Sequence, residues 1–349
     1  MAAASVTVLI PSYNHCRFLP ATLESVFRQT VLPEELYVID DGSTDDSVEV
    51  IKREFARYRG PIRCRLEVRG NRGISATRNE LAAAVTTRYA SFLDSDDRYA
   101  VNRIERMIRA ASAEGPFLAF SGVDFLSERD DDTLAEWNDL YDTFLAQGAS
   151  FPTAGFALLR FNVAISASNL FLTRCLLRSI AGFDDRIRIC QDWDFIAQML
   201  PLVEPTFIPE PLLTYRLHAT NTSLESAGHT HEIDIVRDKV ATWILKPAAN
   251  PAAPTPANWP RYFRIFAQTQ SVSAGLVVAA QLPRAALVPG PSTDSESRDG
   301  HAIRMLLAAA RSTDSGAGLP RYELFLRCQR VWNRARSTPS DGFRDRCQP

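Results

Sequence analysis

Short apolar runs alternate with helix-like segments through the first half of this 349-residue chain, and this alternation limits the fold more than any other feature. The runs are typical of buried strands, and the segments between them carry apolar residues at helical spacing. Repeated strand–helix–strand order favours a mainly parallel α/β sheet with helices on both faces. The predicted strands are residues 6–10, 36–39, 63–68, 89–93 and 117–123, and the predicted helices are residues 19–29, 47–58, 74–85 and 103–113.

Polar residues follow three of the predicted strands directly. The three clusters are Pro11-Ser12-Tyr13-Asn14, Asp40-Asp41-Gly42-Ser43 and Asp94-Ser95-Asp96-Asp97. Because ligands of parallel sheets bind at the carboxyl ends of the strands, the clusters outline one site at one edge of the sheet.

The composition excludes several classes of protein. A hydrophobic content of 46% supports a sizeable core, and a net charge of -2 argues against a nucleic-acid partner. The six cysteines form no CxxC pair, so we expect reduced thiols rather than a zinc site. No signal peptide and no membrane-spanning stretch is visible, and we therefore expect a cytoplasmic protein.

The second half is less regular. The pattern weakens over residues 127–161, and two short strands are predicted at residues 205–208 and 212–216. Residues 247–260 have the composition of a Pro/Ala-rich linker, and residues 322–336 carry an apolar helical stripe.

Two acidic motifs each allow a chemical and a structural interpretation. Asp94 and Asp96 can present one oxygen to a sugar hydroxyl and another to Mg²⁺ or Mn²⁺, or Asp97 can cap a helix that begins near residue 101. Asp40 and Asp41 can accept hydrogen bonds from a base or a ribose, or form a tight turn capped by Ser43 or Thr44.

Three further segments also leave two interpretations open. Residues 70–73 and Arg78 lie at the start of a helix, where the helix N-terminus and the arginine side chain can bind a diphosphate. Alternatively, they are an ordinary helix start in which the arginine forms a salt bridge. Asp192 is either a general base or a first-turn acid favoured by the helix dipole. His218 is either a structural histidine or a metal ligand.

In this order, the motifs resemble the family 2 glycosyltransferases, which have the GT-A fold. The motifs are residues 11–14, 40–43, 70–73, 94–97, 191–194 and 215–218, and the resemblance covers roughly residues 6–223. It implies a GT-A, Rossmann-like catalytic domain over residues 1–225 and leaves residues 226–349 as a helical C-terminal extension. Residues 167–171 and 182–184 look like the acceptor-side segment of the family.

The resemblance implies a role for each matching residue. Pro11 and Tyr13 would line the nucleotide pocket, Asp40 or Asp41 would contact the nucleobase, and Arg78 would lie near the nucleotide or diphosphate. In the nucleotide-sugar site, Asp94 would contact the ribose and Ser95 would lie beside it. Asp96 would hold Mg²⁺ or Mn²⁺ with His218, which contacts metal or diphosphate in some members, and Asp192 would be the catalytic base.

The implied activity is that of an inverting, hexosyltransferase-type enzyme in cell-surface polysaccharide or glycoconjugate assembly. It would move sugar from a nucleotide-diphosphate donor to a glycan or lipid-linked acceptor. The alternatives are a degenerate binding or scaffolding subunit and a nucleotidyltransferase, although residues 11–18 lack the Gly-rich loop and lysine of the latter. Gln191 departs from the family, which usually has Glu there, and a neutral neighbour should leave Asp192 with a lower pKa than a Glu would.

The C-terminal residues 301–349 carry nine arginines and four acidic residues. A basic helix with an apolar stripe is suited to peripheral contact with an anionic membrane. The alternative, which we favour, is that the stripe packs on the catalytic domain or on a second copy of the chain in a homo-oligomer.

Overall fold

The computed structural model describes residues 4–111, 114–128, 131–148, 154–158 and 161–221, together with positions 232, 233, 235, 236 and 239. Within these ranges the strands are β1 Ala4–Ser12, β2 Pro33–Asp40, β3 Arg63–Val68, β4 Tyr89–Phe92, β5 Arg98–Tyr99, β6 Leu118–Ser127, β7 Phe171–Thr173 and β8 Thr206–Leu217. The helices are α1 Leu19–Phe27, α2 Ser47–Arg57, α3 Ile74–Ala83, α4 Arg103–Ala110, α5 Thr133–Gly148, α6 Ala154–Ala157, α7 Arg174–Leu177 and α8 Gln191–Ala197, with a 3-10 turn at Ala167–Asn169.

The strands form one sheet in the order β3-β2-β1-β4-β7-β6-β8-β5. The pairs β2–β3, β1–β2, β1–β4 and β6–β8 are parallel, whereas β7 is antiparallel to both of its neighbours and β5 is antiparallel to β8. The predicted mainly parallel sheet is therefore confirmed. Because β2, β1 and β4 are adjacent and parallel, the three polar clusters lie side by side.

Both faces of the sheet are buried at β1, and the alternation along this strand shows why its sequence is apolar at every position from Val6 to Ile10 except Thr7. Val6, Val8 and Ile10 belong to one hydrophobic cluster with α1, α2 and α4, and Leu9 belongs to a second cluster with α3 and α8. Successive side chains of a strand point to opposite faces, so a strand with two covered faces needs apolar residues at nearly every position.

The two strands predicted at residues 205–208 and 212–216 are one strand, β8, in the structure. Pro209 and Pro211 lack the N–H that a ladder needs, and the pairing with β6 shifts register around Gly122 without ending. A side chain at Gly122 would lie 2.6 Å from the Pro209 carbonyl oxygen, so glycine permits this close approach. The prediction of two separate strands was therefore wrong.

Helix α5 lies where the sequence pattern is weak, and β5 was not predicted because it has two residues. None of the helices in the described ranges is long and apolar enough to cross a membrane. The linker at 247–260, the stripe at 322–336 and the basic residues 301–349 lie outside the described residues. The division at residue 225 stays a prediction, although Val236 is buried in the core that contains α8.

Candidate active site

The turn after β2 depends on the buried side chain of Asp40. Its carboxylate accepts hydrogen bonds from the Ser12 hydroxyl at 3.0 Å, from the Ser43 backbone N–H at 2.8 Å and from the Ser43 hydroxyl at 2.7 Å. Ser43 therefore closes the turn and does not cap α2, which begins at Ser47 after Asp46. Asp40 thus has a structural role beside its predicted contact with a nucleobase.

Asp41 holds the loop that leads into α3 by hydrogen bonds and an ion pair. Its two oxygens accept the backbone N–H groups of Arg72 at 3.0 Å and Gly73 at 2.8 Å, and Arg69 forms an ion pair with it at 3.2 Å. Gly42 has a φ of 81°, and a side chain there would lie 2.8 Å from a backbone nitrogen of that loop. The loop and the end of β2 therefore form one rigid wall of the site.

The end of β1 contributes one buried and one exposed residue to the predicted nucleotide pocket. Pro11 is buried and lies opposite Ile39 of β2, whereas Tyr13 is 46% exposed. Asn14 accepts the Thr44 N–H at 2.7 Å and so joins the turns after β1 and β2. An exposed aromatic ring beside these turns is suited to pack on a planar base.

Arg78 connects three elements of the site. One guanidinium nitrogen lies 2.7 and 2.8 Å from the two oxygens of Asp94, and another donates to the Gln191 side-chain oxygen at 3.1 Å. The Ser75 hydroxyl donates to the same Gln191 oxygen at 3.0 Å. Arg78 is buried, so this network fixes the end of β4 relative to α3 and to the first turn of α8.

Asp192 lies in the first turn of α8, as predicted, and is buried. Its carboxylate accepts the Asn162 side-chain N–H at 2.7 Å and the Trp193 backbone N–H at 2.9 Å. Burial raises the pKa of Asp192 to about 6, although the positive charge of Arg78 opposes the shift. A carboxylate with this pKa can exchange a proton near neutral pH. Sequence reasoning missed Asn162, for which no local signal exists.

Three side chains that can bind a metal ion converge beside these carboxylates. One potential ligand atom each of His15, Asp96 and His218 lies within 4.8 Å of the others. The His218 Nε2 lies 3.0 Å from the Asp96 Oδ2, and the His15 Nε2 lies 3.9 Å from the same oxygen. Burial raises the pKa of Asp96, but the hydrogen bond from His218 and the charges of both histidines outweigh it and lower the pKa. Two imidazoles and one carboxylate fit a divalent transition-metal ion.

The structure thus brings together the predicted Asp96 and His218 and adds His15, which the sequence analysis missed. The available signal was a histidine directly after the polar cluster that follows β1. Ser95, predicted to contact the nucleotide sugar, lies 2.8 Å from the His15 Nδ1.

Asp97 is buried and supports the neighbouring segments. It accepts the Arg216 backbone N–H at 2.9 Å and the Ser168 hydroxyl at 2.5 Å. Burial, together with the charges of Asp96 and Asp94, raises its pKa well above the usual range. It does not cap α4, because that helix begins at Arg103 after Asn102.

The segment 162–169 contacts the site carboxylates one after another. Besides Asn162 on Asp192, the Ser166 hydroxyl donates to Asp94 at 3.2 Å, and Ser168 binds Asp97. Ile165, between them, has a φ of 67°. A β-branched residue in this left-handed region is strained and persists only where its surroundings hold it. The segment therefore holds hydroxyl and amide groups within hydrogen-bond distance of these carboxylates.

Comparison with known proteins points to one enzyme class. Residues 7–166 match the family described as Glycosyl transferase family 2. An uncharacterized glycosyltransferase of Nostoc sp. is 26% identical over 239 residues, which cover 65% of this chain and 69% of that protein. The hyaluronan synthase of Pasteurella multocida is 25% identical over 234 residues, which cover 64% of this chain but 21% of that protein.

The fold is also that of solved glycosyltransferases. The crystal structure of S. aureus TarS 1–349 in complex with UDP-GlcNAc aligns with a TM-score of 0.54 and 14% identity, covering 89% of this chain and 93% of that chain. The predicted GT-A, Rossmann-like architecture is confirmed by this likeness.

Proposed function

Since residues 7–166 make this chain a member of glycosyltransferase family 2, we propose that it is an inverting, divalent-metal-dependent enzyme. It transfers a sugar from a nucleotide-diphosphate donor to a hydroxyl group of a glycan or lipid-linked glycan, in polysaccharide or glycoconjugate assembly. The observation that carries this proposal is the buried network in which Arg78 joins Asp94, on the donor side, to the helix of Asp192.

On the donor side, the turns after β1 and β2 receive the nucleotide, with Tyr13 against the base and Asp40 or Asp41 at its polar edge. Asp94 and Ser95 contact the nucleotide sugar, and Arg78 lies towards the diphosphate. Asp96 and His218 would hold a divalent ion, which would supply Lewis-acid neutralisation of the negative charge that develops on the diphosphate leaving group.

On the acceptor side, Asp192 takes the proton of the acceptor hydroxyl as that oxygen attacks the anomeric carbon. The bond from the anomeric carbon to the diphosphate oxygen breaks, and its electron pair leaves with the diphosphate. One displacement of this kind inverts the anomeric centre. General-base assistance typically contributes about 10²–10⁴-fold, and a pKa of about 6 keeps most of the Asp192 population ionised at neutral pH.

A donor screen tests the proposal. UDP-, GDP-, dTDP- and CMP-sugars are compared by thermal shift and by hydrolysis, with and without Mn²⁺. UDP-sugars come first, because the TarS structure that aligns with this chain was solved in complex with UDP-GlcNAc. We expect one donor class to stabilise the wild type in a metal-dependent way, and Asp96→Ala to abolish that stabilisation.

The Asp192→Asn variant separates binding from chemistry. It is expected to bind the donor like the wild type and to lose transfer to an acceptor, whereas Asp185→Asn, at an exposed position seven residues earlier, should transfer normally. NMR of the product should give the inverted anomer. Stabilisation by no donor, or a product with retained configuration, would refute the proposal.

A further inference from the structure

We propose that His15 is a third protein ligand of the metal site, so that two imidazoles and one carboxylate hold a first-row transition-metal ion before any nucleotide binds. The role of this ion in sugar transfer rests on the proposed function. Binding of the ion does not, because it is measured without a sugar donor.

The first argument is the position of the ligand atoms. The Nε2 atoms of His218 and His15 lie 3.0 and 3.9 Å from one oxygen, the Oδ2 of Asp96. Ligand atoms bound to one ion at about 2.0–2.2 Å lie about 3–3.5 Å apart in octahedral or tetrahedral geometry. The three atoms, all within 4.8 Å of one another, therefore need only a small inward movement to share an ion.

The second argument is the partner of the opposite nitrogen in each ring. The Nδ1 of His15 lies 2.8 Å from the Ser95 hydroxyl, and the Nδ1 of His218 lies 2.9 Å from the Thr220 hydroxyl. Metal-binding histidines usually donate their second N–H to an outer partner, which sets the ring orientation and leaves the other nitrogen for the ion. Both histidines have such a partner.

The third argument is the packing of the two rings. Phe18 packs against both rings, with centroids 5.5 Å from His15 and 4.7 Å from His218, and the two imidazoles pack edge to face at 5.7 Å. The His218 side chain is 1% exposed and that of His15 is 23% exposed. Both rings are therefore held in place, and the partial exposure of His15 leaves a side on which an ion can enter.

The ligand set predicts which ions bind. Mg²⁺ prefers oxygen ligands and keeps several waters, so a site with two imidazoles suits it poorly. Nitrogen ligands favour the later first-row ions, with affinity rising from Mn²⁺ to Co²⁺ and beyond. Three protein ligands also leave coordination positions open for diphosphate oxygens.

The test uses the full chain, freed of metal with a chelator and kept without nucleotide. Mn²⁺ binding is followed by electron paramagnetic resonance, Co²⁺ binding by visible absorbance, and bound imidazole nitrogens are counted by pulsed resonance methods. We expect two imidazole nitrogens in the wild type and one in His15→Gln, with Mn²⁺ bound at least about tenfold more weakly by the variant. Mg²⁺ should displace Mn²⁺ only at a concentration at least about tenfold higher.

Arg17→Gln is the matched control, because Arg17 lies in the same loop, is exposed and offers no ligand to a cation. It should bind Mn²⁺ like the wild type. A single imidazole nitrogen in the wild type, equal affinity of the wild type and His15→Gln, or equal competition by Mg²⁺ would each overturn the inference. The nitrogen count in the wild type decides the matter even if the variant does not fold.

The two proposals fail in different ways. If sugar transfer is observed but His15 contributes nothing to metal binding, this inference is wrong and the proposed function stands. If two imidazoles bind the ion but no donor sugar is transferred, the proposed function is wrong and the metal site stands.

Discussion

Replacement of Asn162 by alanine is expected to shift the pH dependence of sugar transfer while leaving the base in place. The Asn162 amide donates to the Asp192 carboxylate at 2.7 Å and so stabilises its ionised form. Without this hydrogen bond the ionised form becomes less favourable, and the pKa of Asp192 rises above about 6.

The size of the shift follows from the strength of the bond. A hydrogen bond to a charged group contributes about 1.5–3 kcal/mol, and about 1.4 kcal/mol changes a protonation equilibrium tenfold. Loss of the whole bond would move the pKa to between about 7 and 8, which lowers the ionised fraction at pH 6 by roughly 5- to 50-fold. Because Asn162 is only partly buried, entering water restores part of the interaction, and we expect the lower end of this range.

The assay is kcat/KM for transfer, measured from pH 5 to pH 9.5 with donor binding followed in parallel. The acid limb of the Asn162→Ala profile should move to higher pH, and the two profiles should meet again where Asp192 is ionised in both proteins. Asn138→Ala, at an exposed position of α5, serves as the control and should leave the profile unchanged. An unmoved midpoint, or an equal loss at every pH, would refute the reasoning, since either result means that Asn162 does not act through the pKa of Asp192.

Three further predictions concern α8. Gln191→Glu puts a second negative charge beside Asp192, although Arg78 neutralises part of it, and should move the acid limb of kcat/KM to higher pH by about one unit. The Glu232 carboxylate accepts hydrogen bonds from three backbone N–H groups just before α8, at 2.9, 2.7 and 3.0 Å. Glu232→Gln weakens these hydrogen bonds and should lower both the Tm and the transfer rate, with a loss of about 1–2 kcal/mol in the free energy of unfolding. Asp192→Asn should stabilise the fold by about 1–3 kcal/mol at pH 7.5 and by little at pH 4, measured by urea unfolding.

The sign of the last prediction follows from the raised pKa of Asp192. The folded-state value is about 6 and the ordinary value is 3.8, so the buried ionised form destabilises the fold as pH rises between these values. A variant that is less stable than the wild type at pH 7.5 would contradict this account. Glu136→Gln, exposed on α5, is the control for Glu232→Gln, and equal stability of those two variants would show that the contact of Glu232 with the backbone before α8 does not matter.

Much of the fold and part of the site could be predicted from local patterns. The strand–helix alternation predicted the direction of β1, β2 and β4, because only a parallel arrangement buries such continuous apolar runs on both faces. Parallel strands share their carboxyl edge, so the same pattern placed Asp40, Asp94 and Asp96 at one edge of the sheet. The position of Asp192 in the first turn of a helix was also readable from its neighbours.

Patterns in the chain could not predict the contacts that set the chemistry of these residues. His15 meets Asp96 across 81 positions, Asn162 meets Asp192 across 30, and the backbone before α8 meets Glu232 across more than 40. The spacing of apolar residues indicates which face of a single helix or strand is buried, because each element buries the side on which its own apolar residues recur. Which side chains of different loops meet depends on loop conformation and on the packing of whole elements. The alternation of strands and helices therefore determined the location of the candidate site, whereas the approach of His15 to Asp96, the burial of Asp192 and the partner of its carboxylate were decided only by tertiary structure.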